Sequence, residues 1–138
     1  MKKYRIFDHT ADLGIEVRGV SLADLFDNAV SAVADMTADR ERVKAQEIRV
    51  IRAEGSDRED LWVNFLREVL YAVNGERFLI AECHIKEIDD THVAAEVRGE
   101  PLDPLRHEIK KELKAVTYHQ ASIKQDAHGL RGRVILDV

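Results

Sequence analysis

Asp12-Leu13-Gly14-Ile15-Glu16-Val17-Arg18 and, after two further residues, Ser21-Leu22-Ala23-Asp24-Leu25-Phe26 differ in periodicity, and that change decides the fold. In the first stretch Leu13, Ile15 and Val17 alternate with Gly14, Glu16 and Arg18, as in a half-buried strand. In the second, Leu22, Leu25, Phe26, Ala29, Val30, Val33 and Met36 recur at helical spacing. Ser21, with Asp24 three residues on, forms an approximate capping box at the start, and Thr37-Ala38-Asp39 closes the helix.

Working outward, residues 4–9 read as a strand joined to 12–18 by a bend at Thr10-Ala11, and 46–54 as a strand around Ile48, Val50 and Ile51. Ser56-Asp57-Arg58-Glu59 is a sharper capping box for a second helix with the stripe Leu61, Trp62, Phe65, Leu66, Val69, Leu70 and Val73. Asn74-Gly75 is its expected stop, with glycine in the left-handed position. Leu79, Ala81, Cys83 and Ile85 form one alternating strand and Val93, Ala95 and Val97 another, with Asp89-Asp90 as the turn. Pro101 and Pro104 are the only prolines and mark a break. Beyond it, Leu105 to Leu113 reads as a short helix, Ala115 to His119 and Ala121 to Asp126 as strands, and Leu130 to Val138 as the last strand after a His128-Gly129 turn. There is no internal repeat or low-complexity segment. The expected fold is α+β, two helices packed on one face of a largely antiparallel sheet, in a single domain covering residues 1–138.

The composition, 45% hydrophobic and 34% charged, is that of a globular protein with a sizeable core. No apolar stretch approaches the roughly 20 residues of a membrane span, and the basic start Met1-Lys2-Lys3-Tyr4-Arg5 lacks the apolar region of a signal peptide. A single cysteine, Cys83, admits no internal disulfide and predicts a cytoplasmic protein. The net charge of −5 argues against tight, self-sufficient nucleic-acid binding and suits a cation or a basic protein partner.

Chemistry concentrates at the two ends of the chain. Asp8, His9 and Asp12 lie within five residues. In a strand Asp8 and His9 point to opposite faces, while Asp12, past the bend, is expected to return toward Asp8. Hard cations take several oxygen ligands at roughly 2.0–2.6 Å, and carboxylates with bend carbonyls supply part of such a shell. The alternative is that Asp8 and Asp12 only cap the turn. At the other end, Asp137 points away from the face of Val134, Leu136 and Val138, and the chain stops while its strand pattern is still apolar, which places the Val138 carboxylate at a defined point; a frayed terminus is the plain alternative. Thr117 and His119 share a face that supports a site, although a strand histidine is more often structural or exposed. His107-Glu108 reads as a helix start. Trp62 and Phe65 read as core, Cys83 as buried and inert, Glu108 to Lys114 as a solvated helix face, and Arg131 and Arg133 as protection of an edge strand or a partner contact. A P-loop, a GxSxG elbow, a CxxC pair and an HExxH helix are all absent. From spacing alone this is a small α+β protein with a candidate hard-cation site.

Asp8-His9-Thr10-Ala11-Asp12-Leu13-Gly14-Ile15, Lys114-Ala115-Val116-Thr117-Tyr118-His119 and Leu136-Asp137-Val138, in this order and chain length, together resemble the archease family. The resemblance covers essentially the whole chain. It implies an α+β fold related to strand–helix–strand–strand modules and a non-catalytic, cytoplasmic accessory protein of tRNA splicing. Such a protein assists an RtcB-type RNA ligase by promoting guanylylation of the ligase's active-site histidine and repeated turnover. A chaperone-like link to a tRNA cytosine methyltransferase is also implied for some members. The implied metal ligands are Asp12, Asp137 and the Val138 terminus, with Asp8, His9 and His119 as supporting residues. The metal is a divalent ion, Ca²⁺ first and Mg²⁺ or Mn²⁺ as alternatives, and RNA is contacted mainly through the partner, with no membrane involved. An autonomous metal-dependent phosphohydrolase is the rival reading, against which the lack of phosphate-cradling glycines and basic ligands counts.

Overall fold

The computed structural model describes residues 3–9 and 12–138, with His9 described by its main chain alone. The elements run Tyr4–His9 (β1), Asp12–Gly19 (β2), Leu22–Thr37 (α1), Glu47–Glu54 (β3), Arg58–Leu70 (α2), Phe78–Ile88 (β4), His92–Pro101 (β5), Ala115–Asp126 (β6) and Gly129–Asp137 (β7). The architecture is α+β, as expected. The strands, however, divide into two antiparallel sheets, β1-β2-β7-β6 and β3-β5-β4, rather than one. Each helix packs on both: α1 against β2 and β4, α2 against β6 and β3. Burial around α1 explains this, because Ala29, Ala32, Val33, Ala34 and Met36 are buried together with Leu25 and Phe26, covering more than one stripe.

Both helix starts follow from local chemistry. The Asp24 N–H donates to Ser21 Oγ at 3.1 Å, and Asp24 Oδ2 accepts from the Val20 N–H at 2.9 Å. In α2 the cap is Asp57, one residue later than expected: its Oδ1 accepts from the Asp60 N–H at 2.8 Å, and Asp60 Oδ2 accepts from the Ser56 N–H at 2.8 Å. The end of α2 also differs. It widens into a π-turn over Tyr71–Gly75, and the left-handed residue is Arg77, with φ of 54°, not Gly75.

The expected helix over Leu105 to Leu113 is not formed. The Lys110 N–H donates to Thr37 O at 2.8 Å, Ile109 bridges to Ala38, and Asn74 Nδ2 donates to Leu113 O. These bonds to the ends of α1 and α2 hold the segment extended and leave Leu105 at 95% exposure. His107, rather than starting a helix, is buried beside Glu100. Ala115 to Asp126 is one strand with an irregularity between Thr117 and Ser122, where Gln120 has φ of 58°.

The core centres on Phe26, Trp62 and Phe65, with ring centroids 5.3 Å apart for Phe26–Trp62 and 5.2 Å for Phe26–Phe65. Trp62 Nε1 donates to Arg133 O at 3.1 Å, fastening α2 to β7. Among the described residues no helix is long and apolar enough to cross a membrane.

Candidate functional site

The register of the four-stranded sheet arranges its outer face in rows. His9, Asp12, Asp137 and Ala115 pair across β1, β2, β7 and β6 at one end; the next row on that face holds Phe7, Gly14, Ile135 and Thr117. Residues directly opposite on an antiparallel pair share a face. The register therefore brings Asp12 and Asp137 together at one end of the sheet, on its two inner strands. Asp137 is exposed and Asp12 partly so, and the Lys114 N–H donates to Asp137 O at 2.7 Å, fixing the main chain just before Val138.

The row behind this tip is tightly built. The Phe7 ring lies over Gly14, where a Cβ would come within 2.1 Å of it, so only glycine admits the ring there. The Arg133 guanidinium sits 4.2 Å from the Phe7 centroid and that of Arg5 5.3 Å from it. Ile135 is buried beneath at 1% exposure.

The other predicted site residues separate. Asp8 pairs with Leu13 and His9 with Asp12, so Asp12 does not return to the face of Asp8 as expected; Asp8 lies one register position away, on the opposite face. The side chain of His9 and the Thr10-Ala11 bend lie outside the described residues. His119 is exposed on β6, in the irregular stretch between Thr117 and Ser122 rather than in the Asp12–Asp137 row. Tyr118 points to α2, its hydroxyl donating to Asp60 Oδ1 at 2.7 Å with Asn64 Oδ1 at 3.0 Å. That bond chiefly lowers the Asp60 carboxyl and raises the Tyr118 phenol. Cys83 is partly buried rather than fully buried, and its thiol is pushed far up, first by burial and then by Asp27. Arg131 and Arg133 do not protect an edge, because β7 lies between β2 and β6.

Asp12 and Asp137 offer oxygen donors only, which fits a hard divalent ion and not a soft one. Among the described residues no group of three or more His, Cys, Asp or Glu side chains converges as a complete shell. The Arg133–Phe7 stack and a Glu100–His107 pair were not anticipated. The only sequence sign of the first was the alternation of Arg131 and Arg133; the second left none, because Glu100 falls in the polar phase of β5 with Glu96 and Arg98.

Residues 4–138 match the model of the Archease protein family (MTH1598/TM1083). The chain belongs to the archease family. It is 37% identical over 128 residues to an archease of Pyrococcus abyssi, covering 91% of this chain and 90% of the relative, and 34% identical over 141 residues to one of Methanothermobacter thermautotrophicus, covering 100% of both. Among solved structures, it resembles protein 1598 of Methanobacterium thermoautotrophicum with a TM-score of 0.83 and 33% identity, covering 100% of each chain. A crystal structure of an archease and possible chaperone from Thermotoga maritima, at TM-score 0.68 and 18% identity over 97% of this chain and 96% of that one, shares the fold. The archease fold thus accounts for the α+β architecture, with two helices and two antiparallel sheets.

Proposed function

We propose that this chain is an accessory protein that presents its Asp12–Asp137 edge to the active site of an RtcB-type RNA ligase and promotes guanylylation of the ligase histidine. The observation that carries the reading is the in-register placement of Asp12, partly exposed, opposite Asp137, exposed, at one end of the sheet. A divalent ion there would neutralise charge that develops on the triphosphate during guanylyl transfer. The chain's own part is geometric. Asp12 and Asp137 hold and aim the cation, with the main chain at Val138 following directly. Phe7 over Gly14 stiffens the row behind them, and the Lys114–Asp137 bond restrains the outermost backbone. Two carboxylates occupy a minority of the six to eight positions around Ca²⁺, so water or partner oxygens complete the shell, as suits a tip that shares its ion with another protein. The net charge of −5 favours encounter with a basic active site.

The test is guanylylation of the host's own ligase by GTP and metal, with and without this protein, beside calorimetry with Ca²⁺ and Mn²⁺. Asp12→Ala is expected to abolish both stimulation and cation binding while leaving the far-UV spectrum intact. Stimulation equal to wild type would sink the tip mechanism. A second reading, a chaperone-like binding module with a purely structural ion, is favoured if Asp12→Ala lowers the melting temperature yet leaves stimulation per folded molecule unchanged. Turnover of nucleotides by the purified chain alone would instead favour a phosphohydrolase.

A further inference from the structure

Away from the acidic tip, the same outer face becomes cationic. Past the Phe7 row come Arg5, Glu16, Arg133 and Ser122, and past that Arg18, Arg131 and Lys124 stand in register on β2, β7 and β6. Opposed residues on neighbouring antiparallel strands lie about 4.5–5.5 Å apart between Cα atoms, and like charges so placed destabilise a sheet. Arg5 is offset by Glu16 at 3.4 Å and Arg18 by Asp126 at 3.4 Å. Among the described residues Arg131 and Lys124 have no ion-pair partner.

A second observation in the adjacent row points the same way. Arg133 Nε is buried with no hydrogen-bond partner, and its guanidinium is held by stacking on Phe7 at 4.2 Å. A buried donor left unmatched calls for a physical reason. β7 is an inner strand, so edge protection does not supply one. A row of three cations on adjacent strands, next to an arginine placed over an aromatic ring, is what a nucleic-acid strand recognises: the charges take phosphates and the Arg–Phe pair takes a base.

We propose that the outer face of the β1-β2-β7-β6 sheet binds single-stranded RNA, with Arg18, Arg131 and Lys124 on the phosphates and the Arg133–Phe7 stack under a base. An acidic polypeptide would satisfy the charges but would not use the stack. The net charge of −5 repels RNA from the rest of the surface, so binding is local, modest and steeply salt-dependent. The proposal does not rest on the ligase reading, since the chain alone is assayed.

The experiment is fluorescence anisotropy of a labelled single-stranded RNA of about 12 nucleotides, within the usual site size of such surfaces, titrated with the full chain at low and moderate salt. Saturable binding is expected. The Arg131→Gln/Lys124→Gln double variant should weaken it by about tenfold or more and flatten the log–log salt dependence by about 1.4, at ~0.7 for each single-strand phosphate that is no longer neutralised. Its melting temperature should not fall, because like-charge repulsion is relieved. Arg98→Gln, on the other sheet, should leave binding unchanged. Photocrosslinking of a thiouridine-containing RNA to β7 gives a readout free of substitutions. No saturable binding, equal binding by the double variant, crosslinks elsewhere, or competition by polyglutamate as effective as by RNA at equal charge would each overturn the assignment.

Discussion

Glu100 shows how one residue can hold an irregular segment in place. It is 4% exposed, yet it accepts from the Lys44 N–H at 2.6 Å, faces His107 Nε2 at 3.2 Å and pairs with Arg106. His107 Nδ1 accepts from the Asp103 N–H at 2.9 Å, which leaves the proton on Nε2 to point at Glu100. Burial pushes the Glu100 carboxyl up, but the Lys44, Arg106 and His107 bonds outweigh it and hold the group below its ordinary value. A carboxyl lowered by folding contributes stability above its ordinary value of 4.5, and that contribution is lost as pH falls through the lower, folded value. Amide-exchange protection factors over residues 102–113, taken relative to the base-catalysed rate of an unstructured chain, should therefore be flat near neutrality and fall in the acid range below 4.5. Glu100→Gln should lower the protection factors near neutrality, costing about 1–3 kcal/mol for the disrupted buried bonds, and lose the acid dependence. An acid response unchanged in Glu100→Gln would assign it to another carboxyl. None of this was legible in the sequence, where Leu105, Ile109 and Leu113 mimic a helical stripe. Asp12 and Asp137 were legible as carboxylates near bends and ends, but their pairing depends on a register that the residues themselves do not encode.

At the scale of elements, the helix starts were the most legible features, because a cap is written in adjacent residues: Ser21 with Asp24, and Asp57 with Asp60 one step from the expected pair. Strand faces were equally legible from alternation. What periodicity cannot carry is neighbourhood. β7 reads as an edge and is an inner strand, β6 reads as two strands and is one irregular strand, and the 105–113 stripe is overridden by bonds to α1 and α2. The β4–β5 pair shows how narrow the permitted chemistry is at such a junction. Gly99 lies in β5 opposite Ile80, and a Cβ on it would meet the Leu79 carbonyl oxygen at 1.8 Å. The obstacle is backbone, so no side-chain rotation relieves it; the strands must part next to the irregularity between Ile80 and Glu82. Gly99→Ala should destabilise at the upper end of the about 1–3 kcal/mol typical of overpacking. Urea unfolding should show this as a lower midpoint with an unchanged slope. A midpoint equal to wild type would mean that β4 shifts freely there.

The whole molecule depends on two sheets joined through the helices they enclose. The sequence showed both helices and most strands but not this partition, since alternation says only that a strand has a buried face, not which layer it faces. Because α1 and α2 each pack on both sheets, departure of either sheet strips an apolar face from both helices, and unfolding should be one cooperative event. Trp62 is the natural reporter. It is the only tryptophan, fully buried, in contact with Phe26 and bonded to Arg133 O on β7. Its fluorescence senses the β1-β2-β7-β6 side of the interior, whereas far-UV circular dichroism senses both sheets and both helices. In urea the two signals should give coincident transitions. If the β3-β5-β4 sheet unfolded on its own, dichroism would fall first while fluorescence held, and the two-sheet dependence would be wrong. Trp62→Phe, which keeps most of the packing but loses the bond to Arg133 O, should lower the midpoint modestly. Trp62→Ala opens a large cavity and should cost about 3–5 kcal/mol. With both variants followed by dichroism, a single transition moving by unequal amounts is the expected result, because removing volume from the layer both sheets share weakens them together.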